Sequence, residues 1–315
     1  RFSKTLKSGE KYRFCVVGST LTSAHHPDPI NEADRLTVFA SLEGCDRLLQ
    51  MHKQQWSELW KSDIEIEGDA QSQQDIRSMI YHLYSFVRQG SALSISPMGL
   101  SGLGYNGHIF WDADTWMFPA LLMLQPKLAE SLIDYRYNRL ETAKKNAFEH
   151  GYQGAMYPWE SSNSGFEETP VWALAGTFEH HISGCVALAA WNYYRVTQDP
   201  KWLAEKGFPI LEATANFWLS RAEYEADGKA HIKNVVAADE WAENVDDDAF
   251  TNGVAKVNLQ AAAQAARILK QAANPDWETL ASRLSFCQFA DGVTKEHRTY
   301  NGENIKQADV NLLPY

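Results

Sequence analysis

The sequence predicts a mainly α-helical fold with a short β fragment in front of it. Three observations carry this. From Asn31 onward, apolar residues recur at helical spacing over most of the chain. Residues 1 to 30 instead alternate apolar and polar positions and end in the breaker-rich HHPDPINEAD. No βαβ alternation and no Gly-rich phosphate loop occurs in the 315 residues.

The elements follow in order. KYRFCVVG reads as a strand at the tail of a β domain, and the breakers after it read as a linker. Between Asn31 and Trp60, the positions Leu36, Phe39, Ala40, Leu48, Leu49, Trp56 and Leu59 give a helical stripe. DIEIEGD interrupts it, and QSQQDIRSMIYHLYSFVRQG resumes the period with Ile76, Met79, Ile80, Leu83, Tyr84 and Val87 on one face. Further helices are predicted over 126–149, opened by Pro126, and over 180–197, whose VALAAWNYYRV is apolar on nearly every side and so buried. Two more follow over 200–225, after Asp199-Pro200, and over 250–273. Helices paired in two concentric rings make a barrel whose end loops line a funnel, and such loops carry function on a rigid scaffold.

Composition narrows the classes. A formal net charge of -11, without a basic stripe, argues against a nucleic-acid partner. No apolar run approaches the roughly 20 residues that span a bilayer, so no membrane role is expected. RFSKTLKSGE has no signal-peptide core, but the first residue is not Met, so the compartment stays open, with a targeting segment upstream as one case. Cys15, Cys45, Cys185 and Cys287 form no CxxC pair, which disfavours a zinc site and a disulfide scaffold; all four are expected as free thiols. The 11 Trp suit either a core or the C–H faces of sugar rings.

Three loops combine Trp with carboxylates: GYNGHIFWDADTWMFP at 104–119, GAMYPWESSNSGFEE at 154–168, and NVVAADEWAENVDDDAF at 234–250. In the third, six carboxylates crowd the ten positions from Asp239 to Asp248. Asp246, Asp247 and Asp248 precede a helix, where capping and solvation explain them. A calcium loop needs spaced oxygen ligands and a Gly turn that DDD does not supply. Glu240 lies between Asp239 and Trp241, and a like charge on one side with an apolar ring on the other would keep its carboxyl protonated, as proton donation to a departing sugar oxygen requires. A surface acid is the plain alternative. Trp111-Asp112 reads as a sugar-binding pair, the ring for stacking and the carboxylate for two adjacent hydroxyls, with a core role for Phe110, Trp111, Trp116, Met117 and Phe118 as its alternative. Trp159-Glu160 repeats the pairing.

Five segments, GYNGHIFWDADTWMFPALL, GYQGAMYPWESSNSG, HHISGCVALAAWNYYRVTQD, AADEWAENVDDDAFTN and DGVTKEHRTYNGENIKQADVNLL, together resemble glycoside hydrolase family 65 in sequence and in order. The resemblance implies an N-terminal β-sandwich ending over residues 1–30, a helical linker over 31–70, and an (α/α)6 barrel over 71–315. The barrel is expected to be incomplete here, with its remaining helices and a small β domain beyond Tyr315 in a longer protein, or else absent in a natural truncation that cannot close the barrel. It implies inverting cleavage of α-glucosidic bonds, in substrates such as kojibiose or trehalose, with Glu240 as general acid. Trp111, Asp112, Lys306 and Gln307 would hold the non-reducing glucose. Trp159 and Glu160 would lie nearer the acceptor sugar, and Tyr105 and His181 would line the same pocket. A fixed ammonium at Lys306 can donate to sugar hydroxyls and balance nearby acids. No cofactor or metal is implied, and the oligomeric state stays open, with a homodimer as one case because large members are often dimers.

Within the family, phosphorylases use phosphate to give β-glucose 1-phosphate, and hydrolases use a second carboxylate to activate water. SISPMGLSG and DTWMFP resemble the hydrolase branch. The general base is expected C-terminal to this chain, and a noncatalytic carbohydrate-binding protein is the reading from another class.

Overall fold

The structure is a computed structural model that describes residues 3–23, 26–100 and 102–313. Ser101 of SISPMGLSG, His25 of HHPDPINEAD and residues 1, 2, 24, 314 and 315 lie outside it. It is mainly helical, and the chain divides into two compact units, Arg1–Asp63 and Ile64–Tyr315.

In the first unit, residues 11–17 form no strand and have no ladder partner among the described residues, because alternation supplies a face and not a neighbouring strand. Helices α1 (Pro29–Glu43) and α2 (Cys45–Leu59) replace the single stripe expected over 31–60. Asp28 caps α1 by accepting the Asn31 N–H at 3.3 Å, and Gly44 at φ 79° separates the two helices. The expectation of four free thiols is corrected here, since Cys15 and Cys45 form a disulfide of 2.11 Å. The spacing argument weighed neighbours in sequence, whereas the fold brings this segment against the start of α2, where Arg13 also pairs with Asp46.

The second unit opens with α3 (Ala70–Phe86), capped by Asp69, which accepts the N–H groups of Gln71 and Ser72 at 2.9 and 3.2 Å. After a long loop come a π-helical turn over Ala113–Met117, then α4 (Phe118–Leu124), α5 (Pro126–Tyr137) and α6 (Leu140–Glu149). The helix expected over 126–149 is thus two, parted at Asn138-Arg139. A one-turn α7 (Ala175–Phe178) leads into α8 (His181–Thr197). The segment expected at 200–225 is α9 (Pro200–Trp202), a π-helical turn and α10 (Phe208–Arg221). A two-stranded antiparallel ribbon, β1 (Glu223–Tyr224) and β2 (Ala230–His231), precedes α11 (Ala249–Ile268) and α12 (Pro275–Arg283).

Helix α8 is the centre of the core. It is buried on nearly every side, as its sequence predicts, and packs against α5, α10 and α11. Gly184 makes the α8–α11 approach possible, since a Cβ there would lie 2.5 Å from a methyl of Val254. Trp218 donates its indole N–H to the Asn258 carbonyl oxygen at 3.0 Å, and the Asn258 amide donates to the Leu211 carbonyl at 3.2 Å, which locks α10 to α11 with paired polar groups.

Candidate active site

Two of the Trp-acid loops are fixed by the scaffold and by each other. Arg136 on α5 donates to the Phe110 carbonyl at 3.2 Å and pairs with Asp114 at 2.5 Å, both fully inside the core. Burial disfavours the guanidinium charge, but the Asp114 carboxylate outweighs it and holds the Arg136 pKa up. Trp111 and Asp112 are thereby set on a rigid turn. Ile109 and Ser161 exchange two backbone hydrogen bonds of 2.9 Å, which join this loop to the one carrying Trp159 and Glu160. The Glu167 carboxylate accepts the N–H groups of Trp159 and Glu160 at 2.7 and 3.1 Å. Gly154, at φ +75°, lets the second loop press on α10, where a Cβ would sit 2.3 Å from the Ala213 oxygen.

The third loop is a narrow excursion closed by the bridge between Val235 and Val245. Its tip, Asp239 to Ala242, is a tight turn with the Ala242 N–H on the Asp239 carbonyl at 2.8 Å. Asp239 accepts the backbone N–H groups of Lys306 and Gln307 at 2.8 and 3.4 Å, so the 306–309 segment lies against the turn. Lys306 Nζ then reaches Glu240 Oε2 at 2.8 Å, and the Gln307 amide reaches Glu240 Oε1 at 3.4 Å. That contact raises the Lys306 pKa.

These pieces surround one open pocket of about 780 Å³, lined by Tyr105, Trp111, Asp112, Trp159, Glu160, Glu240, Lys306 and Gln307, all singled out from the sequence. His181 is placed differently. It is fully buried and meets the Trp111 ring edge-on at 4.6 Å, so it stands behind the wall and not in it. Burial drops its pKa to about 3, so the ring is neutral. The Glu179 carboxylate takes its Nε2 at 2.7 Å, and Cys185 Sγ lies 3.6 Å from its Nδ1.

Glu179 escaped the sequence reading, because a lone acid before two histidines carries no chemical signature. Burial first, and then the like charge of Glu240, holds its carboxyl well above the usual range. Its free Oε2 and the Trp159 indole nitrogen are both buried without another partner among the described residues, and the indole acts to stabilise the Glu179 charge. Asp112 is also raised, by burial and by the neighbouring charges of Asp114 and Glu240. Trp116 and Trp172 line the pocket as well. Trp116 had been assigned only to the core, and Trp172 has no acid beside it to mark it.

Two expectations for the third loop are corrected. The Trp241 side chain is 66% exposed and does not wall off Glu240, because the turn sends consecutive side chains to different sides. Asp248 does cap α11, accepting the Thr251 N–H at 2.7 Å, but Asp247 is neither a cap nor solvated. It is buried against His231 Nδ1 at 2.7 Å and Arg298 Nε at 2.9 Å, a network that holds the foot of the loop. Glu225, Asp227 and His231 also converge there, with Lys233 and Arg298 balancing their charge.

The arrangement offers aromatic faces, hydrogen-bonding groups and the carboxyls of Asp112, Glu160 and Glu240 to a sugar. A family model described as the glycosyl hydrolase family 65 central catalytic domain matches residues 77–309. A kojibiose hydrolase of Mucilaginibacter mallensis is 62% identical over 315 residues, covering 100% of this chain and 47% of that protein. A protein-glucosylgalactosylhydroxylysine glucosidase of Dictyostelium discoideum is 37% identical over 325 residues, 99% of this chain and 45% of the relative. A kojibiose phosphorylase of Thermoanaerobacter brockii is 41% identical over 249 residues, 75% of this chain and 32% of the relative. The chain spans about half the length of the curated hydrolase and glucosidase relatives it matches. Among solved structures, a candidate kojibiose phosphorylase from human microbiome superposes with a TM-score of 0.76 at 24% identity, over 86% of this chain and 40% of that one, which establishes the shared fold.

Proposed function

The chain belongs to glycosyl hydrolase family 65, and from that premise we propose that its pocket binds the non-reducing glucose of an α-linked glucobioside and that Glu240 donates the proton in an inverting hydrolysis. Kojibiose is the favoured substrate, since the hydrolases at 62% and 58% identity carry that name. One observation carries the reading. Glu240, Lys306, Gln307, Trp111 and Asp112, remote in sequence, line the same pocket.

The roles follow from the contacts. Trp111, braced from behind by His181 and Phe250, offers a fixed face for the glucose ring. Asp112 and Gln307 accept from and donate to its hydroxyls, while Trp159 and Glu160 meet the acceptor sugar, with Glu160 oriented by His108 at 2.7 Å. Lys306 Nζ is engaged by Glu240 Oε2. Donation requires Glu240 to carry a proton, so substrate entry must turn the ammonium from Glu240 to a sugar hydroxyl. The proton then passes to the glycosidic oxygen as its bond to C1 breaks, and water adds to C1 from the opposite face to release β-glucose. No residue of this chain is assigned as the base that activates that water. Residues 1–30 as the end of a β-sandwich and 31–70 as a linker belong to the same reading.

The test is Glu240→Gln in the protein, assayed on kojibiose with and without phosphate. General acid catalysis is worth roughly 10²–10⁴-fold, so kcat should fall by that order while disaccharide binding persists. β-Glucose from the unaltered protein without phosphate supports hydrolysis. β-Glucose 1-phosphate formed only with phosphate would make it a phosphorylase, and unchanged glycan binding with no turnover in either protein would leave a binding module.

A further inference from the structure

Between Glu160 and Thr169, both of which line the pocket, the second loop leaves the wall and returns to it. Ser161 and Glu167 pair across this excursion, and the Glu168 N–H closes its base on the Glu160 carbonyl at 3.0 Å. Its outer part is moored to the helices, through the Asn146 amide on the Gly165 carbonyl at 3.2 Å and the Tyr135 hydroxyl on the Ser162 carbonyl at 2.7 Å. Towards the pocket, a single carboxyl gathers the two ends.

That carboxyl is Glu167. Its Oε2 accepts the Trp159 N–H at 2.7 Å, while its Oε1 accepts the N–H of Glu160 at 3.1 Å, the N–H of Thr169 at 3.1 Å and the Thr169 hydroxyl at 2.6 Å. Backbone N–H groups can only donate, so this spot requires acceptor oxygens. Burial raises the Glu167 pKa, and the hydrogen bonds oppose that rise, the Thr169 hydroxyl foremost. Thr169 is itself hemmed in by α7, since a Cβ at Gly176 would fall 2.6 Å from the Thr169 Cβ. The first loop sets the side chains above this knot: the Trp159 ring meets Phe110 edge-on at 4.8 Å, and Glu160 Oε1 lies 2.7 Å from His108 Nδ1. Glu167 sets the backbone from which those side chains spring.

We propose that Glu167 is a positioning residue for the acceptor sugar: by tying the backbone of Trp159 and Glu160 to Thr169, it fixes the part of the pocket that tells one aglycone from another. This rests on the reading in which Trp159 and Glu160 meet that sugar. Glu167 does not line the pocket and touches no reacting atom. Its loss should therefore weaken the grip on the acceptor and spare the glucose side.

α-Glucosyl fluoride separates such a role from general support of the fold. Its C1–F bond breaks as water adds at C1, giving glucose and hydrogen fluoride, so no acceptor sugar takes part. The experiment compares kcat/KM on kojibiose and on the fluoride for the unaltered protein, Glu167→Gln, Glu167→Ala and Thr169→Val. The Ala variant should lose about ten- to hundred-fold on kojibiose, as misplaced binding groups do, against a loss of roughly two- to three-fold on the fluoride. Gln keeps one oxygen for the Glu160 and Thr169 donors and turns its amide toward the Trp159 N–H, so it should fall between. Thr169→Val removes the hydroxyl donor alone and should do likewise. Hydrogen exchange reads the same contacts without substrate: in the Gln variant, the Trp159 amide should lose protection before those of Glu160 and Thr169.

Equal losses on the two substrates would reduce Glu167 to a structural residue and overturn the proposal, as would unchanged kojibiose turnover in the Ala variant. Should that variant fail to fold, the Gln and Val variants carry the comparison. If the unaltered protein turned over neither substrate, with or without phosphate, the catalytic reading would fall and binding would decide. A loss of affinity confined to kojibiose, with glucose still bound, sustains the role of Glu167; an equal loss of both, or no kojibiose binding at all, ends it.

Discussion

Glu296 is an acid whose charge changes near neutrality, pushed up to about 7 by burial first and then by Asp239 and Asp248. A raised acid binds more protons in the folded chain than in the unfolded one. Its contribution to stability is therefore full below the unfolded value of 4.5 and is lost as pH rises through about 7. Denaturant midpoints from pH 5 to 8 should decline over that window, and Glu296→Gln should flatten the decline. No feature of the sequence announces this residue, since TKEHRT is an ordinary polar run and the neighbours that matter are more than 40 positions away. Trp111, Asp112 and Glu240 were legible because each brings its own chemistry, a flat face or a carboxyl beside an indole. What sequence could not supply for Glu240 was its company, Lys306 in place of the Trp241 ring.

At the scale of elements, the crossing of α8 and α11 depends on the missing side chain of Gly184. Gly184→Ala would press a methyl into Val254 and should cost about 1–3 kcal/mol, the usual penalty for overpacking. The double variant with Val254→Ala should recover part of that loss, and a thermal-unfolding cycle measures the coupling. Helix α8 itself was plain in the sequence, because burial on nearly every side leaves a long apolar stretch. The parting of α5 from α6 was not, since Asn138-Arg139 contains neither Gly nor Pro and the break serves packing. The pairing of Ile109 with Ser161 was equally hidden, being a bond between two irregular loops that periodicity does not register.

For the whole molecule, the thiols offer a direct check. Alkylation under denaturing, non-reducing conditions should modify two cysteines, Cys185 and Cys287, and prior reduction should raise the number to four. Such a bridge persists in an oxidising compartment and seldom in a reducing one, so the same measurement on protein taken from its native source would locate it. The mainly helical class was readable because helical periodicity persists through most of the chain.

The hydrogen bond from the Lys306 N–H to Asp239 joins the third loop to the 306–309 segment across 67 residues of sequence. The opposite rim is freer, for Trp172 is 81% exposed on the short stretch before α7. Laboratory selection for a new linkage should accordingly enrich single changes around Thr169 to Ala173. On the acid side, survivors should be compensated pairs, and drift there should be slow.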